Sequence, residues 1–190
     1  MAAFNRSIPW SLFLFPLIWM TGFAGNGASR VNQVLVQLKE PKKGNSEEVF
    51  ELTEEDLNAF IIAAIEGKKR LGLRKVVLAL KSGGRIESTA VVNMDELELG
   101  GLAVQMFKTL LSGTQTLKQE GRFKVEKGKG IYTVESVSIN EISVPTWLAS
   151  STLGYLGQRQ PPYIDVTEPF DLPYGIQDIR ITAGKIAIVR

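Results

Sequence analysis

Three short glycine-bearing reversals, Ser82-Gly83-Gly84, Lys127-Gly128-Lys129-Gly130 and Ala183-Gly184, each separate two stretches in which apolar and polar residues alternate. Side chains of a strand point alternately to opposite faces, so an alternating stretch has one face to bury and one to wet. A reversal of a few residues joins such strands only in antiparallel fashion, because a parallel pair needs a crossover of about a dozen residues or more. The chain is therefore expected to build an antiparallel sheet from hairpins.

In RKVVLALK, Val76, Leu78 and Leu80 oppose Lys75, Val77 and Ala79, and in RIESTAVVNM, Ile86, Ser88, Ala90, Val92 and Met94 oppose Glu87, Thr89 and Val91. A second hairpin is read in GRFKVEKGKGIYTVESVSI, its downstream arm running on to Val144 through a bend at Asn140-Glu141. DIRIT and KIAIVR form a third. The alternation of Val34, Val36 and Leu38 against Leu35, Gln37 and Lys39 predicts a further strand in VNQVLVQLKE, broken by PKKGNSEE.

Three stretches carry helical spacing instead. In LTEEDLNAFIIAAIEGKK, Thr53 stands where a hydroxyl can cap free amides, and Glu54, Glu55 and Asp56 oppose the positive end of the helix dipole. Gly67 followed by Lys68, Lys69 and Arg70 makes the matching stop. Leu57, Phe60, Ile61, Ala64 and Ile65 fall on one face. GLAVQMFKTLLSG is apolar nearly all round, and VPTWLASSTLGYLGQRQPP brings Trp147, Leu148, Tyr155 and Leu156 onto neighbouring turns.

Ahead of these elements, Arg6 and a run from Ile8 to Ala24 without charge, followed by small residues, have the layout of a secretory signal. Residues 1–28 are read as that signal and 29–190 as a single domain, with the cut expected between Gly25 and Ser29. The competing reading is an uncleaved anchor through residues 8–24. Either one places the domain outside the cytoplasm, in the periplasm or cell envelope. Without residues 1–28, which hold Arg6 and no acid, 21 basic residues face 20 acidic ones. So balanced a surface lacks the positive field that nonspecific nucleic-acid binding requires.

The chain has no His and no Cys. This removes imidazole-assisted nucleophiles, thiol nucleophiles, Cys/His zinc sites and disulfides. No cofactor or metal is expected. Glu54, Glu55 and Asp56 occupy consecutive helical positions that point in different directions, which disfavours shared coordination. Asp165, Glu168 and Asp171 are the candidates for a carboxylate-only enzyme, but acids are ordinary in a loop and the chain reads as a non-enzyme. Lys68, Lys69, Arg70, Arg74 and Lys75 form the densest basic run, either a contact for phosphate headgroups and membrane or a helix stop plus a solvated strand face. Arg122, Lys124, Lys127 and Lys129 are read as a charged sheet edge.

LTEEDLNAFI, ISVPTWLASSTLGYL and PFDLPYGIQDIRITAGKIAIVR, taken in order, resemble a pattern of the LmeA-like phospholipid-binding proteins of bacterial envelopes and, more distantly, of the tubular lipid-binding (TULIP) superfamily. The resemblance implies an α+β fold in which a long curved antiparallel sheet wraps around one to three helices and leaves an apolar groove for acyl chains.

Independently of that likeness, the apolar surface of the helical stretches exceeds what one sheet and one helix would hide. Leu102, Val104, Met106, Phe107, Leu110 and Leu111 either fill the concave face of the sheet as ordinary core or require another cover, such as an acyl chain. Trp147 and Tyr155 suit either a lipid–water boundary or a core with one paired polar atom. The expected function is non-catalytic binding or transfer of a lipid or other long apolar ligand. Phe60, Ile61, Met106, Phe107, Leu110, Trp147 and Leu156 would border its groove, and Lys68, Lys69 and Arg70 would meet headgroups or membrane. The alternative is a structural or assembly partner for other envelope proteins.

Overall fold

The computed structural model describes residues 30–42, 44, 46–68, 72–96, 112–150 and 168–190. It shows an α+β fold. In chain order its elements are α1 (Arg30–Lys39), β1 (Val49–Thr53), α2 (Glu54–Lys68), β2 (Leu73–Leu80), β3 (Arg85–Asn93), β4 (Thr114–Glu126), β5 (Lys129–Ile139), β6 (Ile142–Val144), β7 (Phe170–Asp171), β8 (Asp178–Thr182) and β9 (Lys185–Val189). A helical segment starts at residue 146. Among the described residues the strands make two sheets. One is three-stranded in the order β1-β9-β8; the other runs β2-β3-β4-β5-β6, with β7 added against β5. Every pairing is antiparallel.

The expected hairpins form, each with a local cause. β4 and β5 are joined by Lys127 and Gly128 alone, both at positive φ (51° and 75°), which matches the right-handed twist of the flanking strands. Gly130, expected in that reversal, instead lies in β5, where a Cβ would come within 2.8 Å of the Phe170 ring. The Asn140-Glu141 bend proves to be a complete reversal, so β6 folds back on β5 instead of prolonging it. Both turn residues have positive φ (47° and 70°). Asn140 tolerates this because its Oδ1 accepts from the Thr116 N–H at 2.8 Å while its own N–H donates to the Thr116 carbonyl at 2.8 Å.

The segment expected as the first strand is a helix, α1. Its buried residues are Val31, Val34, Leu35 and Leu38, spaced at helical intervals, whereas Val36 is 60% exposed. Five apolar residues in ten satisfy both periodicities, and packing chose the helical set. The charged-edge reading also changes: Arg122 lies on β4, between β3 and β5, opposite Arg85. It pairs with Glu135, and Lys124 pairs with Glu126.

Two irregularities fit the curvature of the larger sheet. Glu135 is an extra residue of β5 at the Glu120/Gly121 step, and Arg74 is an extra residue of β2 between Leu73 and Lys75. Such bulges bend a strand and increase its local twist. A single core fills the space behind the sheets, drawing Val34 and Leu38 from α1, Leu57 and Phe60 from α2, Leu78 and Ala90 from the larger sheet, and Ile186 and Ile188 from the smaller.

The edge of β2 is closed by side chains of α2. Asn58 and Glu54, one helical turn apart, accept from the backbone N–H groups of Leu78 (2.8 Å) and Leu80 (2.7 Å), and Asn58 also donates to the Leu78 carbonyl (2.8 Å). The Gly184 N–H donates to the Leu80 carbonyl, and the Gly184 carbonyl accepts from the Glu54 N–H, so the β8–β9 turn ties both sheets to the start of α2. At that start Thr53 and Asp56 form a reciprocal capping box: the Asp56 N–H donates to Thr53 Oγ1, and the Thr53 N–H donates to the Asp56 carboxylate.

Candidate functional site

The register of the larger sheet places one residue of each strand in a single row on its inner face: Val76, Ala90, Leu117, Ile139 and Ile142, each directly opposite the next. Cross-strand partners project from the same side of a sheet, so this row is continuous apolar surface from one edge to the other. Its exposure rises along the way. Val76 (3%) and Ala90 (1%) are core, Leu117 and Ile139 are half-buried, and Ile142 is 71% exposed. The adjoining row, Leu78, Ser88, Gln119, Val137 and Val144, follows the same course, from buried Leu78 to half-buried Val137 and Val144.

The unequal cover has a structural origin. α2 is hydrogen-bonded to β2, at the opposite edge from β6, and the core extends across the sheet to Phe123 of β4 and Tyr132 of β5, towards the β4–β5 turn and away from the Asn140 reversal. At the end of β4, β5 and β6 next to the Asn140 reversal the inner face carries Leu117, Val137, Ile139, Ile142 and Val144, none of which reaches the burial of Val76 or Ala90, whereas Phe123 and Tyr132 at the other end of β4 and β5 are core. Polar groups at the margins of this patch are satisfied. Gln119 Nε2 donates to Tyr132 Oη at 2.8 Å, the Gln115 amide donates to the Ser112 carbonyl, and Asn140 Nδ2 donates to Gln115 Oε1. Burial pushes the Tyr132 phenol well above its ordinary range, against the opposing effect of the Gln119 bond, so it stays neutral. Among the described residues the row from Val76 to Ile142 offers hydrocarbon contact.

No family model, curated protein or solved structure matches this chain.

The residues expected to border a groove divide three ways. Phe60 and Ile61 are buried in the core on α2. Trp147 is 70% exposed at the start of the segment that follows β6. Met106, Phe107, Leu110 and Leu156 lie outside the described residues, as does most of the two apolar helical stretches that contain them. Of the basic run, Lys68 ends α2, Lys69 and Arg70 lie outside the described residues, Arg74 pairs with Glu96, and Lys75 is exposed.

Sequence reasoning passed over Leu117, Val137, Ile139, Ile142 and Val144 as a set. The apolar alternation of β5 was visible, but which strands share its face depends on the register and on the reversal at Asn140. The other candidates have ordinary explanations. Glu54 and Asp56 bind backbone amides, and among the described residues no group of three or more acids is placed to hold a metal ion. Asp171 pairs with Lys129 at 3.4 Å with its carboxylate in solvent, Glu168 is exposed, and Asp165 lies outside the described residues.

A second apolar feature lies between α1, the smaller sheet and the Pro173–Gly175 turn, enclosing about 430 Å³ when its open mouth is included. Val31, Val34, Leu38, Leu52 and Ile188 line it, yet all are already almost wholly withdrawn from water. It is a seam in the core, and a guest there would have to displace packed side chains.

Proposed function

We propose that this protein binds the hydrocarbon part of a lipid, or another long apolar ligand, without catalysing a reaction on it, on the inner face of β4, β5 and β6. The observation that carries this reading is the row from Val76 to Ile142, in which surface of one chemical kind passes from sealed core to open solvent within a single sheet. Exposed apolar surface continuous with a core is suited to a guest that extends the core, and an acyl chain needs no hydrogen-bonding partner. The resemblance of three segments to LmeA-like phospholipid-binding proteins supports the same ligand class, and the leader-like first 28 residues support a place in the cell envelope. Among the described residues no helix is long and apolar enough to cross a membrane.

Organic extraction of the purified protein followed by mass spectrometry tests the proposal. A lipid recovered in fixed proportion to protein is expected. A ligand-free protein that instead forms a defined complex with another envelope protein would replace this reading with an assembly role.

A further inference from the structure

The two edges of the larger sheet are finished in opposite ways. At β2, Asn58, Glu54 and Gly184 occupy backbone hydrogen-bonding groups. At β6, Ile142 is 71% exposed, and Trp147, five residues further on, is 70% exposed. Between them Pro145 ends the strand, and its carbonyl accepts from the N–H groups of Leu148 and Ala149 to start the helical segment. From Ile142 to Gln158 no residue is charged, the longest uncharged run after Arg30, in a chain where more than a fifth of the residues carry charge.

We infer that this edge, Ile142 with Trp147, is a contact surface for the neutral face of a phospholipid bilayer. An anionic surface would be met by basic side chains, and none lies here: from Ile142 to Ser150 every side chain is uncharged, and the charge that adjoins them in the turn, Glu141, is acidic. An exposed indole beside an exposed aliphatic side chain suits the layer between headgroups and acyl chains, where tryptophan is enriched. Ile142 is also the last member of the apolar row, so a hydrocarbon tail leaving the bilayer at this edge would move directly onto Ile139 and Leu117 without crossing water. The inference rests on the lipid-binding reading and adds the surface that supplies the ligand.

The chain has no cysteine, so one introduced thiol labels one position. Thr146→Cys, exposed between Ile142 and Trp147, is labelled with a polarity-sensitive fluorophore in the full chain, and Val77→Cys on β2 provides the reference. On addition of phosphatidylcholine vesicles the label at 146 is expected to shift its emission to the blue while the label at 77 stays put. The shift should be equal at low and high salt, and Ile142→Ser with Trp147→Ser should remove it while leaving circular dichroism unchanged. Equal shifts at both positions, no shift at 146, or a shift present only with anionic lipid at low salt would overturn the contact. Lipid recovered by extraction with no shift at 146 refutes the bilayer edge alone. A shift at 146 without recoverable lipid leaves the edge standing and removes the binding reading.

Discussion

The side-chain amide of Asn58 makes both hydrogen bonds that a neighbouring strand would make with Leu78, accepting from its N–H and donating to its carbonyl, each at 2.8 Å. One side chain thus does the work of a strand at an edge that would otherwise be open to pairing with another chain. Asn58→Ala leaves two partly buried backbone groups unpaired, and a loss of about 2 kcal/mol is expected. Asn58→Asp keeps the acceptor for the Leu78 N–H but sets a carboxylate against the Leu78 carbonyl, so it should recover little of that loss. Urea denaturation of the two variants beside the parent checks both statements.

Arg190 and Glu48 are paired although the chain brings them from opposite ends of the described fold. Arg190 is 5% exposed, and its guanidinium also donates to the carbonyls of Leu38 (2.7 Å) and Glu40 (2.9 Å) and lies 5.8 Å from the centre of the Phe50 ring. It therefore caps the carboxyl end of α1 and fixes that helix to the smaller sheet. Glu48 is only partly buried and Arg190 keeps both carbonyl acceptors, so Glu48→Leu, which removes a charge-assisted hydrogen bond, is expected to cost about 1.5–3 kcal/mol. Hydrogen exchange should show α1 opening first, and an unchanged exchange rate there would contradict the clamp.

Gly121 faces the Tyr132 ring so closely that a Cβ on it would overlap the phenol and come within 2.8 Å of the Thr133 carbonyl. Gly121→Ala should destabilise by about 1–3 kcal/mol through overpacking. Combining it with Tyr132→Val should cost less than the sum of the single changes, because the phenol clash disappears. A double-mutant cycle by thermal unfolding reads the difference.

The raised pKa of Tyr132 gives alkaline stability a definite sign. Burial favours the neutral phenol in the folded state, so its contribution is complete below the unfolded tyrosine value of about 10 and is lost as pH rises above it. Above pH about 10 this residue should steepen the fall in stability by up to about 1.4 kcal/mol per pH unit. Tyr132→Phe forfeits the Gln119 bond, about 1 kcal/mol at neutral pH, and should make the alkaline decline shallower. Denaturation midpoints at pH 8, 10 and 11, chosen as approximate points on either side of the unfolded value, compare the two proteins.

Ile142→Asp alters a side chain that is already in water, so stability should change by no more than about 0.5 kcal/mol. Combined with Ile139→Asp it places two carboxylates on the proposed hydrocarbon surface, and recovered lipid should fall to background. Circular dichroism of the double variant separates loss of ligand from loss of fold, and full lipid recovery in a folded double variant would show that the ligand sits elsewhere.

Much of the local structure was legible in the residues. α2 follows from Thr53, the acids behind it and the spacing of Leu57, Phe60 and Ile61, and its capping box uses the residues that suggested it. The β2–β3, β4–β5 and β8–β9 hairpins follow from alternation and from Gly83, Gly128 and Gly184, which adopt positive φ. β1 escaped notice because VFELT is short and runs straight into the cap of α2. The roles of Glu54 and Asn58 were partly hidden for a different reason: a carboxylate one position beyond a cap reads as dipole compensation, and only the docking of β2 shows that it accepts from Leu80.

By itself, then, the sequence determined an α+β domain of antiparallel hairpins and the helix of residues 54–68, because these depend on side-chain periodicity, caps and turn residues within a few positions of one another. Tertiary structure alone decided that residues 30–39 are helical, since Val36 could face water only once Val31 and Leu35 had a sheet to pack against. It also decided that β1 pairs with β9, and that Ile142 joins the row begun by Val76. Those outcomes rest on contacts between residues far apart in the chain, whose energy comes from burial shared among several elements and is written in no single segment.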